Sequence, residues 1–570
     1  MEILLFFGAV GLFLMIVGIK DVRDAKQRER EFIEALYKDY GKELEKEYAL
    51  ERFVRISSYY EKHREQQKGF LDDITWNDLN MDDIFKRMNY TYSASGEEYL
   101  YYTLRNVGKT KEELTHFEEL VAYFIEHKDE RVQIQFLMKQ LGYTGKFSLY
   151  DYLDNLDYLG ERSNKRHILL NLLFIPFLLL ALYDISLSLT GVVVLIIYNI
   201  VTYFKEKNEI EPYITSFAYV MRLLVTCDKL VSIKVTACEE EWEQLRRHKQ
   251  RLKELKRGAF WVFSINQGIG SGNPLDMLMD YIRMCFHVDL IQFNKMLQQV
   301  RKHMEDIDAL ITLVGYIESV IAVGAFRKSL PLYCIPELLE EGMKEEGEAA
   351  RKKIHLADAY HPLIRDVVRN SITAKRGVLL TGSNASGKST FLKTVALNAI
   401  FAQTIHTCTA AEYRAPFYEI YSSMSLRDSI STGESYYIVE IKALKRILDA
   451  AKNTSDRVLC FVDEVLRGTN TVERIAASTQ ILKSLSIDNI LCFAATHDIE
   501  LTELLKDYYD NYHFEEDIQE GDVLFNYKLQ EGKATTRNAI KLLEIMGYDA
   551  AIIEKANEQA RHFVATNVWK

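Results

Sequence analysis

The nine residues Gly382-Ser383-Asn384-Ala385-Ser386-Gly387-Lys388-Ser389-Thr390 carry the functional groups that gather a phosphate chain. Glycines at 382 and 387 let successive backbone N–H groups turn inward around phosphate oxygens. Lys388 neutralises charge on the β and γ groups, and the Ser389 hydroxyl can ligate Mg²⁺. An apolar run, Gly377-Val378-Leu379-Leu380, precedes the loop, so strand, glycine loop and helix start follow in the order that aims a helix dipole at an anion. The spacing therefore predicts a nucleotide site that takes ATP with Mg²⁺.

Two further segments supply what hydrolysis needs. Val458-Leu459-Cys460-Phe461-Val462 reads as a buried parallel strand running into Asp463-Glu464. Asp463 is placed to hold Mg²⁺ through water, and Glu464 to orient and deprotonate an attacking water. A surface acidic pair would leave the five-residue apolar run before it unexplained. Ile490 to Ala495 reads as another strand, ending in Thr496-His497. Ligands bind at the carboxyl edge of parallel sheets. His497 alone would more often be a packed surface histidine; on one edge with Lys388, Asp463 and Glu464 it reads as a γ-phosphate sensor.

Four ordered segments resemble the MutS family. Thr381 to Thr390 is similar to that family's TGPNMGGKST, with Ser383, Ala385 and Ser386 as departures. Asp428 to Ile441 resembles the stretch ending GxSTFxxEM, Asp463 to Thr471 resembles DEIGRGTST, and Ala495 to Leu501 resembles ATHYFEL. His361-Pro362 matches the pair that stands ahead of the nucleotide loop. The resemblance implies that Ser435 acts in trans on the γ-phosphate bound by a second copy, so that hydrolysis requires a homodimer, and that Arg467 to Thr471 communicates across the interface. Gly532 to Gly547 resembles a helical closing element, and Ser93 to Arg105 with the helices up to Glu340 more weakly resembles the lever. The large N-terminal domain with a Phe-x-Glu wedge has no counterpart. Phe32-Ile33-Glu34 stands on a charged helix with no domain around it, so mismatch recognition does not carry over.

The elements that must position these groups divide a 570-residue chain that is too long for one core. With 7 Pro and 27 Gly it should be rich in helix. The expected fold class is an α/β P-loop (ABC-type) ATPase domain plus a mostly α-helical lever-like domain with transmembrane helices. The boundaries are 1–20 for an anchor, 21–161 for the first lever part, 168–204 for a transmembrane hairpin, 205–345 for the second lever part, 350–550 for the ATPase and 551–570 for a tail. Seven cysteines without a CxxC pair or metal-ligand spacing predict reduced thiols.

Residues Ile3 to Ile19 are apolar and are followed by Arg23, Lys26, Arg28 and Arg30, which favours an uncleaved anchor over a cleaved signal. Ile168 to Phe204 would be about 55 Å long as one helix, so two crossings with a turn near Asp184 to Gly191 are expected. Basic residues flank this pair on both sides (Arg162, Lys165, Arg166; Lys205, Lys207) and none lies in the turn. The rule that cationic flanks stay inside then puts the ATPase domain in the cytoplasm, at the cell membrane. A buried hairpin of a soluble domain is the alternative. The basic run Arg246 to Arg257 reads as a solvated helical face, with a nucleic-acid or anionic-lipid contact as the alternative. Gly268 to Gly272 lacks the Lys-Ser pair of a phosphate loop and reads as a turn. The net charge of −11 argues against a general nucleic-acid coat. The expected function is a membrane-anchored, DNA-associated ATPase working as a dimer with unidentified protein partners; a transporter-type or scaffold ATPase without DNA is the alternative.

Overall fold

The computed structural model describes residues 20, 23–43, 46, 48–65, 69–145, 147–256, 262, 274–339, 354–383, 386–424, 436–454, 456–466, 469–519, 522–534, 540, 543–544, 546–566 and 568. The Ile3 to Ile19 anchor, the Gly268 to Gly272 turn, Asn384, Ala385, Ser435 and Arg467 lie outside them. The chain forms two compact units. One takes Met1–Glu65, Asn89–Tyr102 and Glu119–Lys328; the other takes Gln66–Met88, Thr103–Glu118 and Ser329–Lys570.

The first unit is helical. Helix α1, Ala94–Arg105, starts after Ser93, and Glu318 closes its N-terminus. The Glu318 carboxylate accepts the Ser93 N–H at 3.2 Å together with the Tyr92 N–H and the Ser93 hydroxyl. A negative charge suits that end of a helix. Burial nevertheless pushes Glu318 up to about 7. Gly96 is required here, because any Cβ would strike the same carboxylate.

The predicted hairpin is present as a helical pair: α2 (Lys165–Leu172) and α3 (Phe174–Leu180) run out, and the 46-residue α4 (Ile185–Leu230) returns. The turn is tighter than the sequence suggests, spanning 181–184 and not reaching Gly191. Asp184 accepts the N–H groups of Ser186 at 2.9 Å and Leu187 at 3.1 Å, which starts α4 at once. Ser188 donates across the pair to the Phe177 carbonyl of α3 at 2.7 Å, and Thr190 donates back along α4 to the Ser186 carbonyl at 2.9 Å. Gly191 lies against the Phe177 ring.

The outer half of the pair turns its large apolar residues outward. Leu178 and Leu179 are each 61% exposed and Val194 62%, whereas Ile210, Phe217, Leu224 and Leu230 farther along α4 are buried. Only 17% of the most apolar stretch of α4 is buried. The remaining helices used below are α5 (Glu239–Arg251), α6 (Pro274–Phe286), α7 (Val288–Lys302) and α8 (Met304–Ser329). Helix α8 is as long and apolar as a membrane span, but 78% of its apolar stretch is buried, as in a core helix. The hairpin is tied to the end of α6, where Asn171 donates to the Phe286 carbonyl at 2.8 Å and Asn199 to the Cys285 carbonyl at 2.7 Å. The basic run is α5 followed by a 3₁₀ turn at Lys253–Lys256. Several of its charges are paired, among them Lys249 with Asp228 at 2.8 Å and Arg251 with Asp306 at 3.1 Å.

The second unit holds two sheets. Strands β1 (Glu337–Leu339), β2 (Ile354–Ala359), β3 (Asn370–Ala374) and β5 (Glu412–Pro416) form one in the order β1-β5-β2-β3. Strands β4 (Gly377–Thr381), β6 (Glu419–Ser423), β7 (Val458–Asp463), β8 (Ile490–Ala495), β9 (Tyr509–Gln519) and β10 (Asp522–Glu531) form the other in the order β10-β9-β4-β8-β7-β6. Only the β9–β10 pairing in the larger sheet is antiparallel. Its central strands read as continuous apolar runs, as parallel strands covered on both faces do. Helices α9 (Lys388–Thr404), α10 (Tyr436–Asn453) and α11 (Thr471–Ser484) follow β4, β6 and β7 in the chain, and Ala550–Thr566 is a final helix. The edge at β6 is held by a segment from early in the chain. The Ser422 N–H donates to the Thr75 hydroxyl at 3.1 Å and the Ser422 hydroxyl to Asp78 at 2.7 Å.

Candidate functional site

Sheet order decides which side chains meet. Strand β8 lies between β4 and β7, so the loop after β8 sits between the phosphate loop and the acidic pair. Asp463 is in register with Ala495. The Glu464 N–H donates to the Ala495 carbonyl at 2.9 Å, and the Thr496 N–H to the Leu380 carbonyl at 2.9 Å. Three adjacent strand ends are thereby laced together. His497 Nε2 then lies 2.7 Å from Glu464 Oε1. The next residue, Asp498, takes a two-pronged bond from Arg474 of α11 at 2.9 and 2.7 Å, which fixes the turn that carries His497.

The phosphate loop is shaped by its glycines. Gly382 has φ of +143° and Gly387, the residue before α9, has φ of +108°. A Cβ at Gly382 would come within 2.9 Å of the Phe514 carbonyl oxygen. Buried Lys388 curls back over the loop, donating to the Gly382 carbonyl at 2.8 Å and the Ser383 carbonyl at 2.7 Å. The Ser386 hydroxyl is buried with no hydrogen-bond partner among the described residues. Ser389 is exposed at the cavity wall, and Thr390 follows it in the first turn of α9.

A cavity of about 500 Å³ opens from this loop. That is within the range of small-molecule sites. Lys388, Ser389 and Glu464 line it together with Tyr360, His361, Ile364, Arg365, Asp366, Phe514 and Tyr527. His361 is held down to about 4, chiefly by burial and then by the charge of Lys393, so it is neutral near pH 7. Its Nδ1 accepts the Leu363 N–H at 3.3 Å, which leaves the proton on Nε2. Asn370 of β3 shapes the far wall by donating to the Tyr527 carbonyl at 2.9 Å and accepting the Leu529 N–H at 2.8 Å. These two bonds straddle the irregularity between Phe525 and Leu529, where Tyr527 takes φ of +52°.

Of the residues singled out from sequence, Gly382, Ser383, Ser386, Gly387, Lys388, Ser389, Thr390, Asp463, Glu464 and His497 stand at this one edge. Asn384, Ala385 and Ser435 are not among the described residues. Sequence reasoning missed Asn370, Phe514 and Tyr527. No local motif marks them, because they reach the cavity only through pairing of distant strands; His361-Pro362 is the one signal that points to this wall.

The donors present suit the groups expected. A serine hydroxyl and a carboxylate are hard oxygen ligands of the kind Mg²⁺ takes. Gly382 leaves room that any side chain would fill, and Ser386 adds a buried hydroxyl facing the loop.

Residues 378–564 match MutS domain V. The chain is 32% identical over 180 residues to the DNA mismatch repair protein MutS of Thermus thermophilus, covering 31% of this chain and 22% of that protein. It is 31% identical over 281 residues to the protein of the same name from Fervidobacterium nodosum, covering 47% of this chain and 32% of that protein. For the one from Pseudothermotoga lettingae the figures are 32% over 217 residues, 36% and 26%. The chain thus spans between 22% and 32% of the length of these relatives. A phosphate loop, an acidic strand end and a histidine converge inside a segment, residues 378–564, that is similar to MutS domain V.

Proposed function

We propose that this protein is a membrane-anchored ATPase that hydrolyses ATP between two copies of the chain and works on DNA at the membrane surface. The observation that carries the ATPase reading is the 2.7 Å contact of His497 with Glu464 at the mouth of the cavity that Lys388 and Ser389 also line.

Lys388 exchanges the Gly382 and Ser383 carbonyls for phosphate oxygens when a triphosphate enters. Backbone N–H groups of the glycine loop and the start of α9 supply the rest of the phosphate cradle. Ser389 and Asp463 would hold magnesium, which when bound would supply charge neutralisation on the phosphate oxygens. Glu464 takes a proton from the attacking water, and His497 holds the Glu464 carboxylate in place and meets the charge that develops on the γ-phosphate. The cavity wall formed by His361, Ile364 and Tyr527, with Arg365 and Asp366 beside them, suits a purine base. Ser435 from a second copy completes the site.

Anchoring is supported by the outward-facing apolar hairpin. Residues 185–204 alone would span about 30 Å, the thickness of a bilayer's hydrocarbon core. The DNA reading is supported by the relatives, which are named as DNA mismatch repair proteins. The net charge of −11 favours a second reading, a transporter-type or scaffold ATPase without DNA.

The test is ATP turnover by the full chain in detergent, with and without duplex and branched DNA, beside Glu464→Gln. Turnover should be stimulated by DNA and fall by about 10²-fold or more in the variant. Equal turnover with and without every DNA would sink the DNA part alone. Undiminished turnover in Glu464→Gln would sink the catalytic assignment.

A further inference from the structure

Helix α10 reaches the loop after Glu464 through Glu440. Glu440, in its second turn, is 3% exposed, and its carboxylate accepts the backbone N–H of Leu466. Leu466 is two residues past Glu464, and both have φ of +59°. Two side-chain-bearing residues in the left-handed region within three positions make a loop that its surroundings must hold in shape. Other ties among the described residues are the Glu464 N–H to the Ala495 carbonyl at 2.9 Å, the Ser478 hydroxyl to the Val465 carbonyl at 3.3 Å and the Thr469 hydroxyl to the Leu466 carbonyl at 3.3 Å. Behind the loop, Val465 and Leu466 pack in the same core as Leu444 and Ile447 of α10.

The choice of residue is informative. An uncharged amide would accept an N–H and would add no negative charge beside Asp463 and Glu464. A carboxylate accepts more strongly, and it holds against a backbone that would otherwise relax. We infer that Glu440 is a positioning residue: acting through Leu466, it keeps the strained loop in the shape that brings Glu464 to His497, and so makes hydrolysis depend on how α10 is seated. The inference rests on the ATPase reading above. In sequence, α10 follows directly on Ser435, the residue that the resemblance assigns to the γ-phosphate bound by a second copy.

The experiment uses the full chain in detergent micelles and four proteins: unaltered, Glu440→Gln, Glu440→Ala and Glu464→Gln. Steady-state turnover gives kcat and KM, a fluorescent ATP analogue gives nucleotide affinity, and a thermal midpoint reports folding. Glu440→Ala should lower kcat by about tenfold or more, with KM and analogue affinity within about twofold. Glu440→Gln, which keeps an acceptor, should recover to within about threefold of the unaltered protein. Should the alanine variant fail to fold, Glu440→Asp, which draws the acceptor back, should show the same kcat loss. An unchanged kcat in Glu440→Ala, a parallel loss of nucleotide affinity, or a glutamine variant as damaged as the alanine one would overturn the positioning role. Absence of turnover in the unaltered protein, or full turnover in Glu464→Gln, would instead overturn the ATPase reading and the role of Glu440 with it.

Discussion

His497 Nε2 stands 2.7 Å from Glu464 Oε1, and the two side chains come from neighbouring parallel strands whose ends are laced by the Glu464 N–H to the Ala495 carbonyl. The imidazole thus contacts the group assigned as general base, which itself lines the cavity. His497→Ala should lower kcat by about 10- to 100-fold and leave KM within about threefold, because its bonds matter most as charge develops. Steady-state kinetics on the full chain would check this; a rise in KM with kcat unchanged would mean that His497 only binds nucleotide.

Gly382 tests the loop's shape. With φ of +143° and a Phe514 carbonyl oxygen 2.9 Å from any added Cβ, Gly382→Ala carries strain of about 1–3 kcal/mol. The expected result is a thermal midpoint lowered by a few degrees and nucleotide affinity lowered by about tenfold or more. Gly160, also at positive φ but with nothing near its added Cβ, provides a control whose substitution should spare affinity.

His361 gives a pH signature. Its folded value of about 4 lies below the ordinary 6.5, so between those values the unfolded chain binds the proton and the folded chain does not. Stability contributed by this residue is therefore complete above about pH 6.5 and falls as pH drops towards 4, by about 3 kcal/mol. His361→Gln should flatten that part of the profile relative to the unaltered protein. Parallel thermal midpoints between pH 7.5 and 4.5 would decide it, and identical slopes would contradict the assignment.

The hairpin gives a cell-level test. On the proposed anchoring by α2–α3 and α4, removing residues 1–20 should leave the protein in the alkali-washed membrane pellet. Adding Leu179→Arg and Val194→Arg, at positions 61% and 62% exposed, should release it. Each charge costs about 3 kcal/mol in the bilayer centre. Release by the first deletion alone would mean that the pair does not span.

Local pattern made much of this site legible. The apolar runs at Gly377, Val458 and Ile490 are β4, β7 and β8 to within a residue, because a strand covered on both faces has no polar alternation to hide it. Their lateral order is another matter. Nothing in those runs says that β8 lies between the other two, which is what brings His497 to Glu464. The cavity wall was hidden for the same reason: Asn370, Phe514 and Tyr527 converge through long-range pairing. Nor does local pattern tell that Thr75 and Asp78, over 340 positions upstream, bond to Ser422. At the hairpin, Ser186, Ser188, Thr190 and Gly191 have turn composition. The Ser186 N–H taken by Asp184, the Ser188 hydroxyl bonded to the Phe177 carbonyl of α3, the Thr190 hydroxyl bonded to the Ser186 carbonyl and a glycine that admits Phe177 all fit within α4.

Helix α4 runs from Ile185 to Leu230 without a break, even at Pro212, and its two halves face different surroundings. A rod fixed at one end among Phe217, Leu224 and Leu230 cannot slide independently at the other. If lipid surrounds the upper half, a thicker or thinner bilayer would pull or push on the packed interior directly, with no joint to absorb the strain. Lipid chain length would then be a mechanical setting of the protein's helical unit as well as its address in the cell.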